Sequence, residues 1–168
     1  MKYNSLIIIP TYNEAENIVT VINKIFTIDD NNSILVVDDN SPDGTSNIVK
    51  NLKKDNVDKL FLITRDKKDG LGSAYKEGFR WGLENKYSYI FEMDADLSHD
   101  PNEIKNLKRL LINNECDVAI GSRYLGGVSV INWPLSRRIL SRLSNILARF
   151  LLGVPINDYT NGYRFYSK

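Results

Sequence analysis

The 168 residues contain a single cysteine, Cys116. It excludes an internal disulfide, and with no neighbours at metal-ligand spacing it is expected to be a buried, reduced thiol. Long apolar runs are also missing: none approaches the roughly 20 residues a helix needs to cross a bilayer. The N-terminus lacks the basic, apolar and small-residue order of a signal peptide, so the expected location is cytoplasmic. There is no internal repeat, linker or low-complexity tract, and residues 1–168 are expected to form one domain. Gly70-Leu71-Gly72 has no third glycine, follows a third strand instead of the first, and has no suitably placed acid about 20 residues on, which argues against a dinucleotide-binding dehydrogenase. Helix-turn-helix, zinc-finger and RNA-binding aromatic signatures are absent, so nucleic acid ranks low as a partner.

What is present is a series of short apolar runs that stop at polar residues. Leu6–Ile9 ends at Pro10-Thr11-Tyr12-Asn13-Glu14, with Asn13 placed to cap a helix through about Phe26. Ile34–Val37 ends at Asp38-Asp39-Asn40-Ser41-Pro42-Asp43-Gly44-Thr45, and Tyr89–Met93 ends at Asp94-Ala95-Asp96. Leu60–Ile63 and Val118–Ile120 are two further strand candidates, and the intervening segments carry helical spacing, as in Ile18, Val21, Ile22, Ile25. Strands alternating with helices predict an α/β fold of nucleotide-binding topology, a mostly parallel sheet with helices on both faces. In such sheets ligands gather at the carboxyl ends of the strands. Paired carboxylates there suit a hard divalent cation, Mg²⁺ or Mn²⁺, shared with a phosphate group; a solvated turn is the other reading of Asp94-Ala95-Asp96. Asp38 and Asp43 are read as turn and capping residues. Gly70 and Gly72 are read as letting the backbone approach a diphosphate or sugar, or as a tight turn before a helix from Ser73. His99, the only histidine, follows the acidic pair; contact with metal or substrate is one reading, and loop packing or solvent exposure is favoured.

The net charge of +1 conceals an asymmetry. From Gly121 onward six arginines and Lys168 face one acid, Asp158, giving +6 there and −5 in the rest. Arginine suits forked recognition of phosphate oxygens or anionic headgroups. Within this segment Ile139, Leu143, Ile146, Phe150 and Leu140, Leu147, Leu151 share helical spacing while Arg138, Arg142, Asn145 and Arg149 occupy other positions. An interfacial amphipathic helix over residues 135–152 and a helix packed on the core would leave the same pattern; peripheral association with anionic membranes is the expectation.

Six strings occur in order: Ile9–Glu14, Val37–Thr45, Gly70–Tyr75, Met93–His99, Gly121-Ser122-Arg123-Tyr124 and Asp158-Tyr159-Thr160-Asn161-Gly162-Tyr163-Arg164. Over nearly the whole chain this series resembles the inverting family-2 glycosyltransferases, most closely the dolichyl-phosphate (polyprenyl-phosphate) mannose synthases. The resemblance implies a glycosyltransferase-A-like fold. It implies that Pro10, Tyr12, Glu14, Val37 and Asp39 surround the nucleoside, with Asp39 on the base, and that Asp94 lies near ribose and metal with Ala95 beside it. Asp96 is implied as the principal metal ligand and a catalytic residue. Ser98 stands where some relatives have a glutamine ligand, so a hydroxyl or water completes the metal shell. Arg123, also implied as catalytic, spans donor and acceptor, and Arg137, Ser141 and Arg164 join it on the acceptor phosphate. Residues of about 1–121 would form the nucleotide-sugar and metal half and about 122–168 the basic acceptor side.

The implied reaction is metal-dependent, inverting transfer of mannose from GDP-mannose to a polyprenyl phosphate on the cytoplasmic face of a membrane. Such an acceptor is already anionic near neutral pH, its second pKa being about 6, and needs cations more than a general base. The chain ends at Phe165-Tyr166-Ser167-Lys168, whereas relatives continue for several elements, and Asn161-Gly162-Tyr163 differs from the forms usual there. Two alternatives therefore stay open: a truncated, non-catalytic nucleotide-binding domain completed by a partner subunit, and a sister transferase using UDP-glucose or another sugar nucleotide.

Overall fold

The computed structural model describes residues 4–168 except residue 30, residues 123–134 and residues 155, 157 and 160, and the side chains of residues 135, 137 and 138 lie outside that description as well. Six strands form one sheet in the order β3-β2-β1-β4-β6-β5. Strands β1 (Ser5–Thr11), β2 (Asn32–Asp38), β3 (Leu60–Thr64) and β4 (Tyr89–Glu92) run parallel, and Ile8 lies between Leu35 on one side and Glu92 on the other. These are the apolar runs read from the sequence, joined by α1 (Ile18–Ile28), α2 (Thr45–Asp55) and α3 (Leu71–Glu84). The chain continues through α4 (Glu103–Ile112), β5 (Val118–Ile120), α5 (Leu135–Leu152) and β6 (Arg164–Ser167).

Alternation along β1 divides the core. Ile7 and Ile9 face Ile18, Val21, Ile22 and Ile25 of α1, Val49 of α2 and Ile104, Leu107 and Leu111 of α4. Leu6 and Ile8 point the other way, onto Ala74 and Tyr75 of α3. Each fully buried aliphatic side chain contributes about 1.5–3 kcal/mol. Helix α3 comes close to the sheet because it carries Gly78 there: a Cβ at that position would sit 2.6 Å from Ile8 Cγ2.

Two sequence expectations are corrected, the start of α1 and the burial of Cys116, and one strand was not foreseen. Helix α1 begins at Ile18, not after Asn13, and Asn13 has a φ of 63°, outside helical geometry. The N–H groups of this turn are taken by the neighbouring loop instead: Asn13 donates to Ser41 Oγ, Glu14 to Thr45 Oγ1 and Ala15, which a cap at Asn13 could have satisfied, to Asp43 Oδ2. The last residues, not read as a strand, form β6, antiparallel to β4 and β5 and inserted between them. Phe165 is thereby fully buried against Phe91, ring centroids 4.9 Å apart and nearly perpendicular. Cys116, expected to be buried, is only half-buried: it packs against the core from the segment between α4 and β5.

Candidate functional site

The carboxyl ends of β1, β2 and β4 open on the same edge of the sheet, and the loop after β2 is tied to the loop after β1 by one carboxylate. Asp38 is fully buried. Its Oδ1 accepts from Thr11 Oγ1 at 2.7 Å and Ser41 Oγ at 2.6 Å, and its Oδ2 accepts from the Ser41 N–H at 3.0 Å and Ser46 Oγ at 2.7 Å. Burial alone would raise its pKa; the hydrogen bonds from Ser41, Ser46 and Thr11 outweigh it and hold the carboxyl below its usual range. Asp43 does comparable work, accepting from Thr45 and from the Ala15 N–H. Both aspartates are the loop organisers that the sequence suggested.

Asp39 is nearly buried and its environment was not foreseen. Arg65, the first residue after β3, places Nε 3.0 Å from Asp39 Oδ1, both side chains 7% exposed, and the Asp69 N–H donates to Asp39 Oδ2 at 3.2 Å. Beyond that ion pair, Asp39 Oδ1 and both terminal nitrogens of Arg65 are buried and make no hydrogen bond among the described residues, the Asp69 carboxylate lying 3.8 Å from Nη2. Buried orphan donors beside a buried acceptor are costly unless something completes them. A flat ligand edge presenting both donors and acceptors has that chemistry. Tyr12 is exposed, with Lys68 Nζ 3.8 Å from its ring centroid, so the loop after β3 also reaches the loop after β1. In that loop Gly70 has a φ of 86°, a left-handed conformation suited to glycine, and both Gly70 and Gly72 face open space.

The remaining donor-side candidates fall into two groups. Pro10 pairs with Val37 across β1 and β2, but the Val37 side chain is fully buried in the α3 half of the core, and that of Ala95 is buried in the other half. Either would meet a ligand through its main chain. Glu14 is half-buried and accepts from Asn17 Nδ2 at 3.0 Å.

The acidic pair is open to solvent. Asp94 is half-buried, and Asp96 and Ser98 are exposed; Asp96 Oδ1 accepts from the Ser98 N–H at 3.0 Å. Tyr75 donates to Asp94 Oδ1 at 3.1 Å. Burial first, and the negative charge of Asp94 second, push the Tyr75 hydroxyl well above its usual range, so it remains a donor. Glu92, just before the pair, is raised mainly by burial, against the opposing influence of Arg164 and Tyr166. Among the described residues no three His, Cys, Asp or Glu side chains cluster as a metal cage. A cation shared with a diphosphate needs only one or two protein carboxylates, the rest of its shell being phosphate and water. Two hard oxygen donors on an exposed turn fit that case.

The acceptor-side candidates divide as well. Arg123 and the side chain of Arg137 lie outside the described residues. Ser141 is half-buried in α5, its carbonyl accepting from Asn145 Nδ2 at 2.9 Å. Arg164 is half-buried and donates to the carbonyls of Asn161 and Tyr159 at 2.9 and 2.6 Å, fastening the segment before β6. On α5 the apolar stripe faces outward, with Phe150 84% and Leu140 67% exposed, while among the described side chains of the helix polar Asn145 is the buried one and accepts from the Tyr159 N–H at 2.6 Å. No described helix is long and apolar enough to cross a membrane.

A mostly parallel sheet with carboxylates and an arginine gathered at its strand ends is an α/β fold of the glycosyltransferase-A-like kind. Residues 6–168 match the family described as Glycosyl transferase family 2, and the chain belongs to that family. It is 48% identical over 166 residues to a polyprenol monophosphomannose synthase of Mycolicibacterium smegmatis, covering 98% of this chain and 62% of the relative. To an undecaprenyl-phosphate mannosyltransferase of Micrococcus luteus it is 40% identical over 161 residues, covering 96% and 65%. The chain thus spans just under two thirds of the length of these relatives. Among solved structures, a mannosyltransferase from Pyrobaculum calidifontis in complex with GDP-Man and Mn²⁺ has the same fold, with a TM-score of 0.64 and 22% identity over 98% of this chain and 44% of that one.

The role of Asp38 gives a pH-dependent prediction. Its folded pKa is depressed, so its contribution is present above about pH 4 and is lost as pH falls through the folded value. Asp38→Asn sets an amide donor against donors and is expected to cost about 1–3 kcal/mol at pH 7. It should also flatten the acid limb of a plot of thermal midpoint against pH; an unchanged midpoint and acid limb would contradict this role.

Proposed function

We propose that this chain forms the donor-binding and catalytic part of an inverting, metal-dependent transferase that moves mannose from GDP-mannose to a polyprenyl phosphate. The observation that carries the reading is the arrangement at the strand ends, where a nearly buried Asp39–Arg65 pair and the open Asp94–Asp96 turn occupy one edge of the sheet. The names of relatives at 48% and 40% identity support the sugar and the acceptor class.

In this reading Asp39 accepts from N–H groups of the base while the Arg65 terminal nitrogens, which make no hydrogen bond among the described residues, supply donors for its carbonyl oxygen; guanine and uracil both offer these groups, and the mannosyl relatives favour guanine. Tyr12, Pro10 and Glu14, with the main chain at Val37, flank the nucleoside. Asp94 and Asp96, with Ser98 or water beside them, would hold Mg²⁺ or Mn²⁺, which when bound disperses the charge growing on the departing diphosphate. Tyr75 fixes the Asp94 carboxylate by donating to one oxygen. An acceptor phosphate oxygen forms its bond to the anomeric carbon from the side opposite the diphosphate as the sugar–diphosphate bond breaks, which inverts that carbon and releases GDP. Because the nucleophile is already anionic, the chain need only place cations around it; Arg123, Arg137 and Arg164, with Ser141, are assigned that task.

The acceptor's lipid tail requires a meeting with the bilayer. Helix α5 exposes Ile139, Leu143, Ile146 and Phe150 together with Arg142 and Arg149, an apolar face flanked by cations. We assign it to the surface of an anionic membrane on the cytoplasmic side.

Purified protein is expected to transfer mannose from GDP-mannose to a short polyprenyl phosphate only with Mg²⁺ or Mn²⁺ present, and Asp96→Ala should lower kcat on the order of 100-fold or more. Turnover with UDP-glucose in place of GDP-mannose, or full activity in Asp96→Ala, would overturn the assignment. In vesicle flotation the protein is expected to rise with anionic liposomes at low salt and less so at high salt. Phe150→Glu should weaken this without shifting the thermal midpoint, since the ring is exposed; a protein that ignores anionic vesicles would contradict the membrane assignment.

A further inference from the structure

His99 sits between two segments that have no sequence proximity. Its side chain is 10% exposed and its ring lies against that of Tyr163, with centroids 4.6 Å apart and planes 32° from parallel. The Asp94 backbone N–H points at Nδ1, 3.3 Å away, and Nε2 lies 3.1 Å from Asn161 Oδ1. A backbone N–H is only ever a donor, so Nδ1 carries no proton and, in the neutral ring, Nε2 does. That proton then has an acceptor, because the orientation of the Asn161 amide is itself fixed. Its Nδ2 donates to the Gly121 carbonyl, and its Oδ1 also accepts from the Tyr163 N–H at 3.2 Å; turning the amide over would set donor against donor at Tyr163 and acceptor against acceptor at Gly121. Asn161 is 4% exposed, so those groups have little access to water.

We infer that His99, held as the Nε2–H tautomer, is a positioning residue that locks the turn bearing Asp94 and Asp96 to the Asn161–Arg164 segment, and so sets the direction of the Asp94 carboxylate. The two segments touch at that carboxylate: a Cβ added at Gly162 would lie 3.4 and 3.5 Å from its two oxygens. One side of Asp94 is therefore set by Tyr75 from α3 and the other by the segment that His99 secures. Both ring nitrogens are already engaged in this arrangement, and Nε2 also lies 3.9 Å from Asp94 Oδ2, so His99 acts on the acidic pair through the backbone, through Asn161 and from beside the carboxylate itself. Asn161 completes the lock in this chain, since its side chain alone spans His99, the Tyr163 N–H and Gly121. The part of the inference that concerns metal rests on the reading of Asp94 and Asp96 given above, and the tautomer stands apart from it.

The chain's single histidine makes the first test direct. In protein labelled with ¹⁵N-histidine, without metal or nucleotide and at a pH where the ring is neutral, a long-range ¹H–¹⁵N spectrum is expected to show one protonated and one unprotonated nitrogen, assigned as Nε2–H and bare Nδ1. The Nδ1–H form, or two nitrogens averaged as in free imidazole, would overturn the inference. The second test is Mn²⁺ affinity by paramagnetic titration with GDP present. His99→Ala is expected to weaken Mn²⁺ binding about 10–100-fold, the usual effect of losing a residue that orients a metal ligand. His99→Asn keeps an acceptor near the Nδ1 position and should recover most of that loss, whereas His99→Gln, which keeps only the reach to Asn161, should recover less. Equal affinity in all three variants and the wild type would overturn the positioning role. Wild-type protein that binds no Mn²⁺ would overturn the metal reading while leaving the tautomer result to decide the lock itself.

Discussion

Four hydrogen bonds converge on the carboxylate of Asp38, from Thr11, from the side chain and backbone of Ser41, and from Ser46. Thr11 ends β1 and Ser46 lies in the first turn of α2, so this group joins three elements at the carboxyl-end edge of the parallel strands. Its burial without a cation would be prohibitive if the charge were left unsatisfied. With every direction filled, it becomes the fixed point from which Asp39 is presented one residue on. The N–H groups of Asn13, Glu14 and Ala15 then find their partners in the same loop, which is why α1 starts late and why Tyr12 is left facing outward. In the proposed function one aspartate of the Asp38-Asp39 pair serves structure and the other the ligand.

The same division recurs at the Asp94-Ala95-Asp96 turn, where Ala95 is buried in the core and the acids beside it are open. Here the supports come from farther along the chain. Tyr75 arrives from α3, His99 from the turn itself, and Asn161 and Gly162 from the approach to β6. Insertion of β6 between β4 and β5 brings this last segment to the site, so the final residues of the chain contribute to the acidic turn as directly as the strand that carries it.

The buried parallel strands were legible because continuous apolar runs with abrupt polar ends have few other uses, and the edge at which those polar ends gather followed from their direction. Strand β6 was not legible. Arg164-Phe165-Tyr166-Ser167 is four residues long, and its stability comes from pairing with strands distant in sequence, which no local pattern records. Arg65 was missed for a related reason: within Arg65-Asp66-Lys67-Lys68-Asp69 it reads as one charge in a solvated run, and only the fold reveals that it is buried on Asp39. Its place directly after a parallel strand, equivalent to that of Asp39 after β2, was the available signal. Helix α5 shows the opposite limit. Its apolar stripe was plain in the sequence, but periodicity gives a face and not its direction, and the structure turns that face outward with Asn145 within. Arg123, read as reaching both substrates, lies outside the described residues.

The central claim is that the strand-end cluster is one site for a nucleoside diphosphate and a divalent cation. Thermal unfolding of the protein with GDP or UDP, each with and without Mn²⁺, addresses it most directly. Ligand at about 100 times its dissociation constant adds roughly 2.7 kcal/mol, a rise of roughly 5–10 °C for a domain of this size. The account predicts that rise for GDP with Mn²⁺, a smaller one for GDP alone and a smaller one again for UDP. No shift with GDP and Mn²⁺, or a shift of equal size with UDP or without metal, would contradict it.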